Sequence, residues 1–272
     1  MMKLLTILTN KKIIVPVYHT VAKQPLPHIK HLYRMKTVQE FQKDLDFLLK
    51  YFEPIDAETL HNYRIHKIVP RKPVFHLTFD DGMKEVYEII APILLKKGIP
   101  ATFFVCSGFV DNKALFFRHR ESLELETIQI EDFLNNEKPY LTTGQIKELS
   151  SQGFTIGAHS IDHPYYYTIS FNEQLRQTRE SLDFISSIVN QKLRLFAFPF
   201  TDNNVSKQFF KEIEPDVDLC FGTAGLKNDE ILFNIQRIAG EKVKFGSLEV
   251  FLRKAYFKYL GNSFIIKRFK KV

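Results

Sequence analysis

Two short clusters in this chain carry residue types suited to holding a cation and moving a proton. The first is Thr78-Phe79-Asp80-Asp81-Gly82, directly after the apolar run Val74-Phe75-His76-Leu77. Adjacent carboxylates at the end of a buried strand are costly: ionised they repel, and desolvated their pKa values rise. A cation removes the conflict, because one carboxylate ligates it while its neighbour stays free as a base. Gly82 lets the chain turn sharply without a Cβ. Asp-Asp-Gly turns are also common at strand ends, so this cluster alone does not identify a site. The second cluster is His159-Ser160-Ile161-Asp162-His163-Pro164, after the apolar run 154–158. Two His four residues apart share one face of a helical turn and can present two imidazoles to one metal. Pro164 and the preceding strand make this a loop or a single turn. Together the clusters supply what a catalytic zinc needs: three protein ligands with a position left for water.

These clusters require strands to carry them. Seven apolar runs, at 13–19, 74–79, 101–106, 154–158, 194–199, 219–223 and 235–239, are short, β-branched and aromatic, as buried strands are. Helical patterns lie between them. Residues 37–52 place Phe41, Leu45, Leu48 and Leu49 on one face, and 86–97 ends at Gly98, a suitable C-cap. Residues 142–152 end at Gly153 in the same way. Residues 170–190 open with Ser170 and Glu173 at capping-box spacing. A final helix, 247–260, stops at Gly261. Strands alternating with helices predict a parallel α/β arrangement. A barrel fits better than an open sheet, since the chemical residues follow several different strands. Residues 110–140 break the rhythm and read as an insertion over one end of that barrel.

The 272 residues, 44% hydrophobic and 25% charged, suit one large barrel domain spanning 1–272. Cys106 and Cys220 read as two buried thiols, not a disulfide. No secretory signal and no membrane-spanning run is evident, so a cytoplasmic or peripheral-membrane location is expected. The net charge is +7, and residues 252–272 hold seven Lys or Arg with no Asp or Glu. That basic, aromatic C-terminal segment reads first as a solvated helix end and second as a peripheral membrane contact. No reader motif accompanies the charge, so no nucleic-acid partner is expected.

TFDDG followed by HSIDHP resembles the first two motifs of the polysaccharide deacetylase family (the NodB homology domain, carbohydrate esterase family 4). VPVYHTV resembles the Tyr-His element of many bacterial members, and GIPATFFV, LTTGQIKELSSQGFTIGAHS and FAFPF follow in family order. The resemblance implies a distorted (β/α)7-type barrel and removal of N- or O-acetyl groups from an N-acetylated glycan. It implies a divalent metal, Zn2+ first, held by Asp81, His159 and His163, with Asp80 as the base. A backbone N–H after 194–199 would meet the oxyanion.

Two family features are missing. Ala197 stands where many members place an Arg that orients the base, and no His follows His163 to serve as the late general acid. Arg237 is expected to supply the cation near Asp80. The acid is expected from Asp80 itself or from His19, with His28 and His31 next. Two other readings stay open: a metal amidase of the same fold acting on a small non-sugar amide, and a non-catalytic carbohydrate-binding relative.

Overall fold

The structure is a computed structural model that describes residues 2–241 and 247–261, together with the backbone of 265–266. Its centre is one all-parallel sheet of eight short segments: β1 (Pro16–Tyr18), β2 (Leu77–Phe79), β3 (Ala101–Val105), β4 (Thr155–Ala158), β5 (Leu195–Ala197), β6 (Leu219–Gly222), β7 (Asn234–Gln236) and β8 (Ile238–Ala239). They run in the order β7-β6-β5-β4-β3-β2-β1-β8. Segments β7 and β8 are consecutive in the chain and separated by Arg237 alone. One edge of the sheet pairs with β6 and the other with β1, so the strand containing Arg237 nearly closes the barrel. Each of the seven expected runs contributes to it.

Two of those runs are bent. Ile13–Ile14 and Val74–Phe75 pair with each other, and Val74–Phe75 also with Glu53–Pro54, in a small second sheet. The barrel segments begin after Val15 and after His76. His76 is buried at its bend, with its ring nitrogens against Ile55 O and Thr102 Oγ1, both at 2.8 Å. Continuous apolarity cannot reveal such a break, because both halves are buried.

The expected helices are present with local differences. Val38–Tyr51 is capped by a reciprocal Thr37–Glu40 box, and Thr143–Ser151 by Thr142 and Gln145. At Phe171–Ile188 only half of the expected box forms: Ser170 accepts from the Glu173 N–H, but the Glu173 carboxylate takes Arg176 and Gln177 instead. The helix expected over 86–97 opens as a wide π-turn, Val86–Ile90, before becoming α-helical at Ala91–Lys97. Pro92 explains this: it has no N–H to give Glu88, and its ring crowds the Glu88 carbonyl. Gly98 is left-handed at φ 64°. The last helix is Leu248–Gly261, and residues 262–264 and 267–272 of the basic segment lie outside the described residues.

The Phe content fills the core. Tyr18, Phe41, Phe79, Phe103 and Phe154 form a chain of ring contacts 4.9 to 5.9 Å apart. Such pairs add to area burial through edge-to-face geometry. Residues 110–140 form a turn and two helices, Phe117–Leu125 and Ile130–Glu137. They share a second apolar cluster with Ile29, Met83 and Cys106, and return to the barrel where Tyr140 bridges Met83.

Candidate metal centre

Asp80, His159, Arg237 and His19 each follow directly on a barrel segment, at its C-terminal end, and Asp81 follows Asp80. Two turns hold the ligand candidates. After β2 the chain reverses through Asp81 at φ 72° and Gly82 at φ 70°. Asp tolerates this left-handed conformation better than most residues. A Cβ on Gly82 would sit 3.0 Å from the Val105 side chain, so the turn also needs the missing atom. After β4 the HSIDH segment is not a helical turn. Ser160 and His163 both have positive φ, 67° and 62°, and the loop is pinned from three directions. Cys106 Sγ donates to His159 O at 3.2 Å, and Ser107 N–H donates to Ser160 O. Gln177 accepts from the Ile161 N–H at 2.9 Å and donates to Asp162 at 2.7 Å, while Ser160 Oγ takes the His163 N–H. Strained residues persist only where surroundings over-determine them, and these do.

The loops bring Asp81, His159 and His163 together. Asp81 Oδ1 lies 3.2 Å from His163 Nε2 and 3.5 Å from His159 Nε2, and one ligand atom from each residue falls within 4.8 Å of the others. All three residues are buried. His159 Nδ1–H donates to Ala197 O at 2.8 Å, which leaves the lone pair on Nε2 facing the cluster. Ala197 thus contributes its backbone to the site, while its side chain cannot replace an Arg. Asp81 Oδ1, His159 Nε2 and His163 Nδ1 have no hydrogen-bond partner among the described residues. Orphaned buried donors and acceptors cost about 1–3 kcal/mol each, and a cation between Asp81 Oδ1 and His159 Nε2 would satisfy those two. The residues present therefore fit a divalent metal, and their one-carboxylate, two-imidazole composition is that of a site with open positions. The His163 ring is held between Phe116 and Phe200, with centroids at 4.6 and 4.5 Å, and Tyr165 stacks on Phe200 at 3.7 Å.

Arg237 is fully buried and reaches Asp80 from the closing strand. Nη1 and Nη2 donate to the two carboxylate oxygens at 2.6 and 2.8 Å, and Nε donates to Gly222 O at 3.2 Å. The guanidinium also lies over the Phe104 and Phe221 rings. Burial pushes the Asp80 carboxyl upward, but Arg237 and then His159 outweigh it and hold it below the ordinary carboxylate range. Asp80 Oδ2 is 3.8 Å from His159 Nε2, so this ionised carboxylate borders the ligand cluster without belonging to it.

His19 stands at the end of β1. Its Nδ1 meets Glu241 Oε2 at 2.9 Å, and Glu241 Oε1 accepts the backbone N–H groups of His19 and Thr20. Burial alone would lower the His19 pKa. Glu241 and Asp81 outweigh that, with Asp80 adding to them, and push it up to about 10. His28 is buried against His119, and His31 pairs with Glu126 on the surface. In the loop after 194–199, anticipated for the oxyanion, the Thr201 N–H donates to Pro199 O at 2.6 Å. Glu241, Gln177 and Phe116 had no sequence signal: none belongs to a motif, and each acts through tertiary contact, as does Phe200 at the end of FAFPF.

The polysaccharide deacetylase family model matches residues 67–212, more than half the chain, including both loops but not Arg237 or His19. YxkH of Bacillus subtilis (strain 168), a protein carrying the same family name, is 24% identical over 130 residues, 48% of this chain. The match covers 38% of that relative's own length. Among solved structures, IcaB from Ammonifex degensii superposes with TM-score 0.66 at 20% identity, covering 90% of this chain and 95% of its own. The Streptococcus pyogenes deacetylase PplD gives 0.63 at 20%, covering 84% and 92%. A de-N-acetylase from Aggregatibacter actinomycetemcomitans gives 0.64 at 16%, covering 88% and 99%. At these identities the likeness is one of fold, the distorted (β/α)7 barrel. With the family model spanning both loops, the chain belongs to the polysaccharide deacetylase family, a family of hydrolases.

Proposed function

We propose that the chain hydrolyses the acetamide of an N-acetylated sugar in a polysaccharide, with Asp80 as the base beside a Zn2+ site formed by Asp81, His159 and His163. The observation that carries this reading is the pairing of an ionised carboxylate, held by Arg237, with a buried Asp-His-His cluster in which Asp81 Oδ1 and His159 Nε2 lack hydrogen-bond partners among the described residues. A divalent cation there supplies a Lewis acid for the acetyl carbonyl and lowers the pKa of a water molecule. Asp80 takes the proton of the attacking water. Arg237 fixes both Asp80 oxygens in one plane and keeps the carboxylate charged, so no reorganisation is needed when the proton moves. His159 is aimed by Ala197 O, and His163 is kept in place by Phe116 and Phe200. His19, protonated and oriented by Glu241, gives its proton to the leaving amine. In this chain Arg237 takes the place of an Arg at Ala197, and His19 that of a late His. The stack of Tyr165 on Phe200 beside His163 offers an apolar wall against which a sugar ring can lie.

Metal content of the purified protein and acetate release from N-acetylglucosamine oligomers test the proposal together. Wild type should carry metal and release acetate, and Asp80→Asn should keep the metal and lose at least about 10²-fold in rate. Metal-loaded wild type that releases no acetate from any glycan would leave the amidase or binding readings. Wild type unable to bind metal would overturn the site itself.

A further inference from the structure

The Met2–Thr9 helix buries Met2, Leu5 and Thr6 but turns Leu4, Ile7 and Leu8 outward at 57, 67 and 60% exposure. The positions i, i+3 and i+4 put the three on one face. This helix packs beside Leu248–Gly261, and Tyr256 Oη donates to Lys11 O at 2.7 Å across the junction. The second helix buries Leu248, Leu252 and Tyr256 and turns Val250, Phe257 and Leu260 to solvent. Lys3, Lys254 and Lys258 are exposed on the same two helices, and their only acidic residue, Glu249, is paired with Arg253. Lys11 and Lys12, just after the first helix, line a cavity of about 180 Å³ together with Arg64.

We propose that this paired-helix face docks on the surface of a bilayer containing anionic phospholipid, with the aliphatic side chains entering the interface and the lysines meeting the headgroups. Charge complementarity selects this occupant. Large aliphatics with a basic rim match the acyl boundary beneath anionic headgroups, whereas a second copy would bring lysines against lysines. The seven Lys or Arg of residues 252–272, without one Asp or Glu, continue the same sign. The Lys11 amine is held down to about 8 by burial and by Arg64, while Asp229 in the same cavity partly offsets Arg64. The contact is interfacial: among the described residues no helix is long and apolar enough to cross a membrane. This inference does not depend on the proposed chemistry.

Co-sedimentation of the full chain with phosphatidylcholine vesicles, with and without phosphatidylglycerol, tests it. Wild type should pellet with the anionic vesicles and be released by high salt. Leu4→Ser/Ile7→Ser/Leu8→Ser, all exposed positions, should keep the circular dichroism spectrum and bind about tenfold or more weakly. Lys254→Ala and Lys258→Ala should each cost roughly fivefold. Wild type left in the supernatant, or a triple variant that binds unchanged, overturns the proposal. So does a dimer in light scattering that the triple variant dissolves, which would assign the face to a second copy. Binding that emerges only after residues 262–272 are deleted would assign it to the chain's own tail and refute the proposal as well.

Discussion

Replacing Arg237 with Ala tests the centre of this structure, because one side chain serves both the site and the barrel seam. The guanidinium is wholly buried and makes two charge-assisted bonds to Asp80, at 2.6 and 2.8 Å, and a third bond to Gly222 O. Its loss strands the Asp80 carboxylate without its principal partner. Breaking a buried pair from one side costs about 3–5 kcal/mol, which for a domain of this size is a fall in Tm of roughly 6–20 °C. The acetate-release rate should fall by about 10²-fold, because a base misplaced by an ångström loses about that much. The effect should appear in kcat more than in KM. Calorimetry and steady-state acetate release measure the two arms. Arg237→Lys should recover only part of each, since an ammonium cannot make the planar two-bond contact. Arg237→Met with Asp80→Asn removes both charges and should regain much of the stability but none of the rate. An Arg237→Ala protein melting within about 2 °C of wild type, with unchanged kcat, would refute the reasoning outright.

Glu85 is buried, and its carboxyl is pushed up to about 7 by desolvation. A carboxyl raised above its unfolded value of about 4.3 costs nothing in acid and loses stability as pH rises from there through its folded value. Glu85→Gln should therefore raise stability at pH 8 by on the order of 3 kcal/mol, and with it Tm, and leave both unchanged at pH 4; equal melting shifts at both values would contradict the sign. Zinc added at about 100 times its Kd should stabilise wild type by about 2.7 kcal/mol, or roughly 5–11 °C, and a chelator should reverse this. Asp81→Ala should abolish the response, and a persistent zinc shift would place the metal elsewhere. Gly222→Ala would put a Cβ 2.3 Å from the Asp202 carboxylate, so a loss of about 1–3 kcal/mol is expected in denaturant titrations.

The sequence by itself determined the strands and the ligand candidates. Period and composition were enough for seven buried runs, because a barrel strand is apolar on both faces and bounded by turns. The Asp80-Asp81 and His159-His163 clusters were legible because each is contiguous in the chain. What lay outside that reach was any feature set by side chains meeting across the fold. The breaks at Val15 and His76 follow from pairing with a second sheet. The HSIDH loop is held by Gln177 and Cys106, residues far off in the chain, and so takes left-handed conformations that no helical spacing suggests.

Arg237 shows the boundary most clearly. Its sequence suggested a cation near Asp80, but 157 residues separate the two. Only barrel closure puts the strand containing Arg237 beside β1 and lets the guanidinium cross to β2. Glu241 meets His19 for the same reason, since the first and last strands become neighbours when the sheet closes. Residue chemistry is local and can be read along the chain. A proton relay or an ion pair depends on distances of about 3 Å, and only the folded backbone sets those.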